Sequence, residues 1–331
     1  MSKPTISDVA RVAGVSKTTV SHAYSNRRHV DPETRKRIFA IAEEIGYRPN
    51  RAAQHLRSGR TGIIALASSM PFAVAAGPSR LGFLMEIAAS AAVASLTRNL
   101  ALCLVPPLAE GARFDAVVPD GAILVEPREG DPMLAHFLSQ GVPVVSIGRA
   151  PGRPDLPCVD LQSAAVTRCV LDHLESQGAR KIGLVTGVQR RCSYLESEAE
   201  HAAFCAARGQ VPVQMQLDEA GGEDLAEPAI VRLLQREPGL DALFVPVDAF
   251  ATGAVRAAAA LGRRVPQDLR LATRYNGLRA RLADPPLTAL DLHLEILADL
   301  AVGLLLTRMD SGAADSVTAP TAALIARPSS V

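Results

Sequence analysis

The sequence predicts an all-α N-terminal head joined to an α/β body of two lobes, each built on a doubly wound parallel sheet. Three observations carry that reading. The first sixty of the 331 residues hold three short helical patterns punctuated by Gly14 and Gly46. From Gly62 onward, short apolar runs alternate with helical stretches in two successive sets. Charge divides at the same place: residues 1–60 carry twelve Lys or Arg against five Asp or Glu, a net of +7, leaving −6 for the remainder beneath a total of +1.

In the head, Ser7 is a candidate N-cap for a helix from Asp8 to Ala13, with Val9, Val12 and Ala13 as its apolar side. Gly14 tolerates the positive φ of a tight turn, Val15 plugs the core, and Ser16 caps a second helix running to about Tyr24. On that helix Val20 and Ala23 point inward, while Lys17, Thr18, Ser21 and His22 share the opposite face. A third helix, Pro32 to Ile45, presents Ile38, Ile41, Ala42 and Ile45 to the same core, and Gly46 ends it. A helix, a tight turn and a second helix with a short polar face, on a strongly basic unit, suit a DNA groove. Such binding should fall steeply with salt.

In the body, strands are expected at Ile63–Ala67, Leu100–Val105, Gly121–Val125, Val142–Ser146, Lys181–Thr186, Val211–Gln216, Ala242–Pro246, Leu269–Thr273 and Ala289–Leu292. Helices are expected at Leu84–Leu96, Ala164–Ser176, Glu198–Arg208, Pro228–Gln235, Ala251–Leu261 and Glu295–Arg308. No internal repeat or long low-complexity tract interrupts the alternation.

Four blocks in order, DVARVAGVSKTTVS, HVDPETRKRI, GYRPNRAAQHL and the strand Gly-Ile-Ile-Ala-Leu, resemble the LacI family of bacterial transcription regulators. His22 after Thr-Val-Ser is similar to the purine-repressor branch. The resemblance implies a helix-turn-helix domain over residues 1–48, a hinge helix over 49–60, and a periplasmic-binding-protein-like effector and dimerisation domain over 61–331. It further implies three crossings between lobes, near Asp160, Asp291 and Pro320, so that lobe 1 takes about 61–160 and 291–320 and lobe 2 takes 161–290 and 321–331. Lys17, Thr18 and His22 become the expected base readers, and Ser16, Thr19, Ser21, Asn26, His29 and Thr34 the backbone contacts. In the hinge, Asn50 caps and Ala53, Gln54 and Arg57 accompany Leu56, the wedge into the central minor-groove step. The expected partners are double-stranded operator DNA, a second copy of the chain, and a small molecule in the cleft between lobes; no Leu heptad follows the last strand, which favours a dimer.

A two-lobed body of this kind holds its ligand at the C-terminal ends of its strands. These ends fall at Ser68 to Met70, Pro106, Glu126 and Ser146 to Arg149 in the first lobe, and at Gly187 to Tyr194, Val247 with Asp248, and Arg274 to Asn276 in the second. The chain departs from the family pattern there. Val247-Asp248 stands for the usual Asn-Asp, Thr273-Arg274-Tyr275-Asn276 for Gly-aromatic-Asp-Asp, and Glu200 for Arg. Two expectations follow. Either Arg190, Arg191 and Arg274 hold an acidic small molecule, with Ser69, Arg149, Asp248 and Asn276 around it and Tyr194 or Tyr275 stacking on it, or the cleft has degenerated and the protein represses constitutively or answers to a protein partner. A receptor with a vestigial head is the alternative from another class.

Enzyme, metal and membrane readings find little support. No Walker loop, G-x-G-x-x-G, G-x-S-x-G or H-E-x-x-H occurs, so no cofactor is implied. His201 and Cys205 have helical metal-ligand spacing but lack further ligands at recognisable spacing. Five cysteines without C-x-x-C pairing point to reduced thiols, and no stretch approaches the roughly 18 apolar residues of a membrane span. The expected location is the cytoplasm of a bacterium.

Overall fold

The structure, a computed structural model, describes residues 4–25, 29–48, 60–71, 74, 82–105 and 117–331, which form two units, Met1–Thr61 and Gly62–Val331. Asn26 and the hinge candidates Asn50, Ala53, Gln54, Leu56 and Arg57 lie outside the described residues.

The head contains helices α1 (Ile6–Ala13), α2 (Lys17–Ser25) and α3 (Pro32–Glu44) around a core in which Val9, Val20 and Ile38 are fully buried. Helix α1 starts two residues before the expected Asp8, and Thr5 replaces Ser7 as N-cap. The Asp8 carboxylate causes the shift: it accepts both the Thr5 N–H, at 2.9 Å, and the Thr5 hydroxyl, at 2.8 Å, satisfying a donor the helix leaves orphaned. Ala10 consequently joins the core and Val12 faces solvent. Gly14 closes α1 in the left-handed region, and Ser16 accepts the Thr19 N–H at 3.0 Å to open α2. Asp31 does the same for α3 through Thr34 N–H at 2.9 Å.

The body contains two six-stranded sheets. The lobe 1 sheet runs in the order β11 (Val317–Thr318), β5 (Cys158–Asp160), β4 (Val144–Ile147), β3 (Gly121–Val125), β1 (Ile63–Ala67), β2 (Ala101–Val105), with every pairing parallel. The lobe 2 sheet runs β12 (Ala323–Ile325), β10 (Thr288–Asp291), β9 (Arg270–Tyr275), β8 (Ala242–Val245), β6 (Ile182–Gly187), β7 (Val213–Leu217), parallel except for the β12 edge. The chain therefore passes between sheets three times, after β5, after β10 and after β11. Wholly buried runs such as Gly121–Val125 and Ala242–Val245 have helices on both faces, which is why they read as continuous rather than alternating apolar stretches.

Among the described residues eight helices cover the sheets: α4 (Phe83–Leu96), α5 (Pro132–Ser139), α6 (Ser163–Ser176), α7 (Cys192–Ala206), α8 (Gly222–Arg236), α9 (Asp248–Ala260), α10 (Leu278–Leu282) and α11 (Leu294–Ser311). Three begin three or more residues earlier than the sequence suggests, α9 at Asp248 rather than Ala251 among them. Helix α7 starts six residues before Glu198, because Ser193, Tyr194 and Ser197 are buried although mostly polar. Helix α8 runs through Pro228, held upstream by close packing of Ala226 on α9, where a Cβ at Gly253 would approach the Ala226 Cβ to 2.6 Å. Among the described residues, no helix is long and apolar enough to cross a membrane.

Both sheets reverse their order of strand addition beside their first strand, β3-β1-β2 in lobe 1 and β8-β6-β7 in lobe 2. Those two switch points, where crevices open at the carboxyl ends of strands, bring Ser69, Glu126, Arg191 and Asp248 toward one region.

Candidate DNA interface and ligand cavity

On α2, Lys17 and Thr18 are exposed, Ser21 and His22 are half-buried, and Val20 and Ala23 anchor the opposite side in the core. Ser16 Oγ lies 2.8 Å from Thr19 Oγ1, so the two hydroxyls are held at the N-terminal end of the same helix. His29 is exposed and Thr34 half-buried at the start of α3. The head thus presents a polar helix face whose orientation is set by two capped helices and an apolar core.

In the body, a narrow cavity of about 50 Å³ lies between the lobes. Lobe 1 lines it with Met70, Val74, Phe83 and Glu126; lobe 2 supplies Tyr194, Pro246, Val247, Asp248, Arg274 and Tyr275, and Leu292 follows from the crossing after β10. Phe83 meets Tyr275 edge-on across the gap, with ring centroids 5.3 Å apart. Burial pushes the phenol pKa of Tyr194 and of Tyr275 well up, so both hydroxyls stay protonated.

The charged side chains at this junction are buried and paired within the chain. Arg274 Nη1 donates to Glu126 Oε1 at 3.4 Å and its Nη2 to Ser163 Oγ at 3.3 Å. The Glu126 carboxylate also accepts from Ser193 Oγ, and its backbone carbonyl accepts from Arg191 Nη1. Arg191 is fully buried; its Nη1 reaches Ser69 Oγ at 3.4 Å and its Nε lies 3.8 Å from the equally buried Glu219. Ser69 Oγ donates to Asp131 at 2.5 Å. Gly187 makes this packing possible, since a Cβ there would sit 2.5 Å from the Glu219 carboxyl carbon and 2.7 Å from the Tyr194 ring. Asp248 receives Arg279 Nη1 on both oxygens at 3.2 Å, while burial pushes its pKa up against that pull.

Of the nine expected cleft residues, Tyr194, Asp248, Arg274 and Tyr275 line the cavity, and Ser69 and Arg191 stand directly behind it. Three do not join them. Arg149 is drawn to Glu196 at 2.7 Å and Asp160 at 3.7 Å, and faces a separate depression with Cys158 and Cys192. Arg190 pairs with Glu129 at 2.9 Å on the exposed rim. Asn276 is held by Arg327, whose Nη2 donates to its Oδ1 at 2.5 Å, and lines a neighbouring depression with His293 and Arg281. Glu200 pairs with Arg168 at 2.5 Å on the outer side of α7. Sequence reasoning located Glu126 at a strand end without joining it to the site, and missed Ser193, Glu219 and Arg279, which carry no motif. His201 and Cys205 do meet, 3.6 Å apart, but the His201 ring is engaged by the Ile182 carbonyl at 3.0 Å and by Gln214 at 3.2 Å.

A capped helix-turn-helix head joined to two parallel-sheet lobes with a cavity between them is the architecture of a DNA-binding protein with a ligand-binding body. Residues 5–50 match the profile of bacterial regulatory proteins of the lacI family, and residues 171–330 that of a periplasmic binding protein-like domain. The chain is 29% identical over 322 residues to the transcriptional regulator CelR of Thermobifida fusca, covering 93% of this chain and 92% of CelR. It is 27% identical over 329 residues to the repressor PurR of Pectobacterium carotovorum, covering 94% and 92%. The structure of a CelR–cellobiose complex superposes with a TM-score of 0.70 at 26% identity over 99% of this chain and all of that one. The lac repressor dimer bound to operator and an anti-inducer superposes at 0.73 with 21% identity over all of both chains, a likeness of fold. The chain belongs to the LacI family of transcription regulators, with a DNA-binding domain and a ligand-binding domain.

Proposed function

We propose that the protein is an operator-binding repressor, active as a homodimer, whose DNA affinity is set by a small neutral molecule held between the lobes. The observation that carries the ligand is the set of buried polar groups at the lobe junction. Arg191 Nη2 and Arg274 Nε find no hydrogen-bond partner among the described residues, although both side chains are more than nine-tenths buried. Each such orphan costs about 1–3 kcal/mol, a burden that a degenerate cleft has no reason to retain. This supports the liganded reading over constitutive repression.

The charge balance favours a neutral, hydroxyl-rich ligand over the acidic one. Arg274 and Arg191 already face Glu126 and Glu219, and the cavity wall adds Asp248, so an incoming carboxylate meets acids on several sides. Phe83, Tyr194 and Tyr275 offer ring faces of the kind that pack on sugar rings. The cellobiose bound to CelR supports the same class.

In the head, Lys17, Thr18 and His22 read bases, and Ser16, Thr19, Ser21, His29 and Thr34 hold phosphates. Leu56 is the minor-groove wedge, flanked by Asn50, Ala53, Gln54 and Arg57. Residues 1–48, 49–60 and 61–331 act as reader, hinge and sensor. The dimer face is on lobe 1, where Val93 and Leu96, one turn apart on α4, and Leu104 on the adjoining edge strand are exposed apolar groups. Because ligand and operator act on one equilibrium, each must alter the affinity of the other by the same factor.

Selection of binding sites from random DNA by the full chain tests the regulator; a pseudo-palindrome is expected, and enrichment of no site rejects it. A thermal-shift panel of sugars beside the matching sugar acids tests the ligand, since a bound molecule raises the melting temperature by mass action. A response to sugar acids alone would reject the neutral class.

A further inference from the structure

One residue of lobe 1 makes three contacts with lobe 2. Glu126 accepts Arg274 on Oε1, Ser193 on its carboxylate and Arg191 on its backbone carbonyl. The residue is 4% exposed and has φ +49°, a left-handed conformation that a β-carbon disfavours and that surrounding contacts must hold in place. Room is made for its side chain on its own lobe: Gly148, at φ +85°, lies where a Cβ would stand 3.1 Å from Glu126 Oε1. On the other side, Ser193 and Arg191 belong to the start of the fifteen-residue α7, whose dipole favours an anion. The adjoining backbone continues the contact, with Glu129 N–H donating to the Arg190 carbonyl at 2.8 Å and a bridge between Arg128 and Arg191.

An anion, a guanidinium, a hydroxyl and a helix start are what a carboxylate-binding site consists of, and here the carboxylate comes from the protein. We propose that Glu126 is a built-in occupant of the effector cavity: lobe 1 places its carboxylate on Arg274 and Ser193 of lobe 2, so the lobes latch without ligand and the site selects against anionic effectors. Without Glu126, closing the lobes would bury Arg274 and Ser193 with no acid to receive them, and open lobes become favoured. A neutral effector binds beside the latch, whereas an anionic one must displace it. This rests on the cavity being the effector site; operator selection, which does not involve Glu126, tests the regulator separately, so either idea can fail alone.

Hydrogen exchange on the full-length protein, followed by mass spectrometry over residues 126–131 and 187–194, tests it without a known ligand. In formate-free buffer the wild type should exchange at least about tenfold more slowly there than Glu126→Ala, while the buried β3 and β8 amides stay protected in both. Sodium formate, a carboxylate small enough for the emptied place, should restore protection to Glu126→Ala and leave the wild type unchanged. Equal exchange in the two proteins, no rescue by formate, or a wild type that itself tightens in formate would each overturn the proposal. If Glu126→Ala loosens β3 and β8 as well, Ser193→Ala and Glu126→Gln replace it. Each removes one arm of the latch and must speed exchange in the same segments by about threefold; unchanged rates overturn the latch.

Discussion

The head and the cavity solve their polar problems at different ranges. In the head, Thr5 meets Asp8, Ser16 meets Thr19 and Asp31 meets Thr34, each pair three residues apart. Around the cavity, Arg274 reaches Glu126 across 148 residues, Arg191 reaches Ser69 across 122 and Ser193 reaches Glu126 across 67. Of the head's candidate DNA-contacting side chains, Ser16, Lys17, Thr18 and His29 are exposed and Thr19, Ser21, His22 and Thr34 half-buried. Those of the cavity are buried, and most have acquired partners from the same chain. An exposed face can therefore change its target with little effect on folding, whereas a change in the cavity is a change in the fold.

That contrast can be broken by experiment, beginning with the largest effect. Arg191→Met leaves Glu219 buried without its cation, and is expected to destabilise the body by about 3 kcal/mol or more in denaturant unfolding. A loss below about 1 kcal/mol would mean that the junction is not tightly closed. Lys17→Ala is expected to cost about 1–3 kcal/mol of specific operator binding, measured by titration, while the unfolding of the body is untouched. Coupled losses of binding and body stability would erase the distinction between the regions.

Acidification should separate the two regions more gently. His201 and His173 have lowered pKa values because burial disfavours the imidazolium. Their contribution to body stability is full above the ordinary imidazole value of about 6.5 and is lost as pH falls toward their lowered values, because the unfolded chain takes up protons the folded one refuses. His201→Gln should flatten that slope in pH-dependent unfolding, and an unaltered slope would assign it elsewhere. The head's caps lose stability in the same direction but at lower pH: Thr5 and Thr34 hydrogen bonds hold Asp8 and Asp31 below the usual carboxylate range, so they fail only in stronger acid. The smallest effect belongs to Arg190→Ala, whose pair with Glu129 is exposed and should change stability by less than about 1 kcal/mol. A larger loss would extend the latch to the rim of the cleft.

Legibility followed the same division. Glycines at turn positions, cap residues three apart and apolar residues at helical spacing made α2 and α3 readable to within a residue or two. Strands of the body were equally plain where they are buried on both faces, as at Gly121–Val125. The short strands β5, β11 and β12 were not, because two or three residues hold no period and pairing alone defines them. In the cavity, the rule that ligands sit at strand ends located Tyr194, Asp248, Arg274 and Tyr275. It misplaced Arg149, Arg190 and Asn276, since a strand end says where a residue is but not which acid or arginine will capture its side chain.

The sequence by itself determined the class of protein, the helices of the head and the order of the two lobes, because capping, turns and periodicity act between near neighbours. The tertiary structure alone decided the character of the cavity. Only when two sheets distant in sequence close on one another does Glu126 meet Arg274, and only the pairing of β6 with β7 brings Arg191 to Glu219. Once buried, such charges must find partners, and that requirement turned arginines that read as ligand-binding groups into groups the chain itself has already paired.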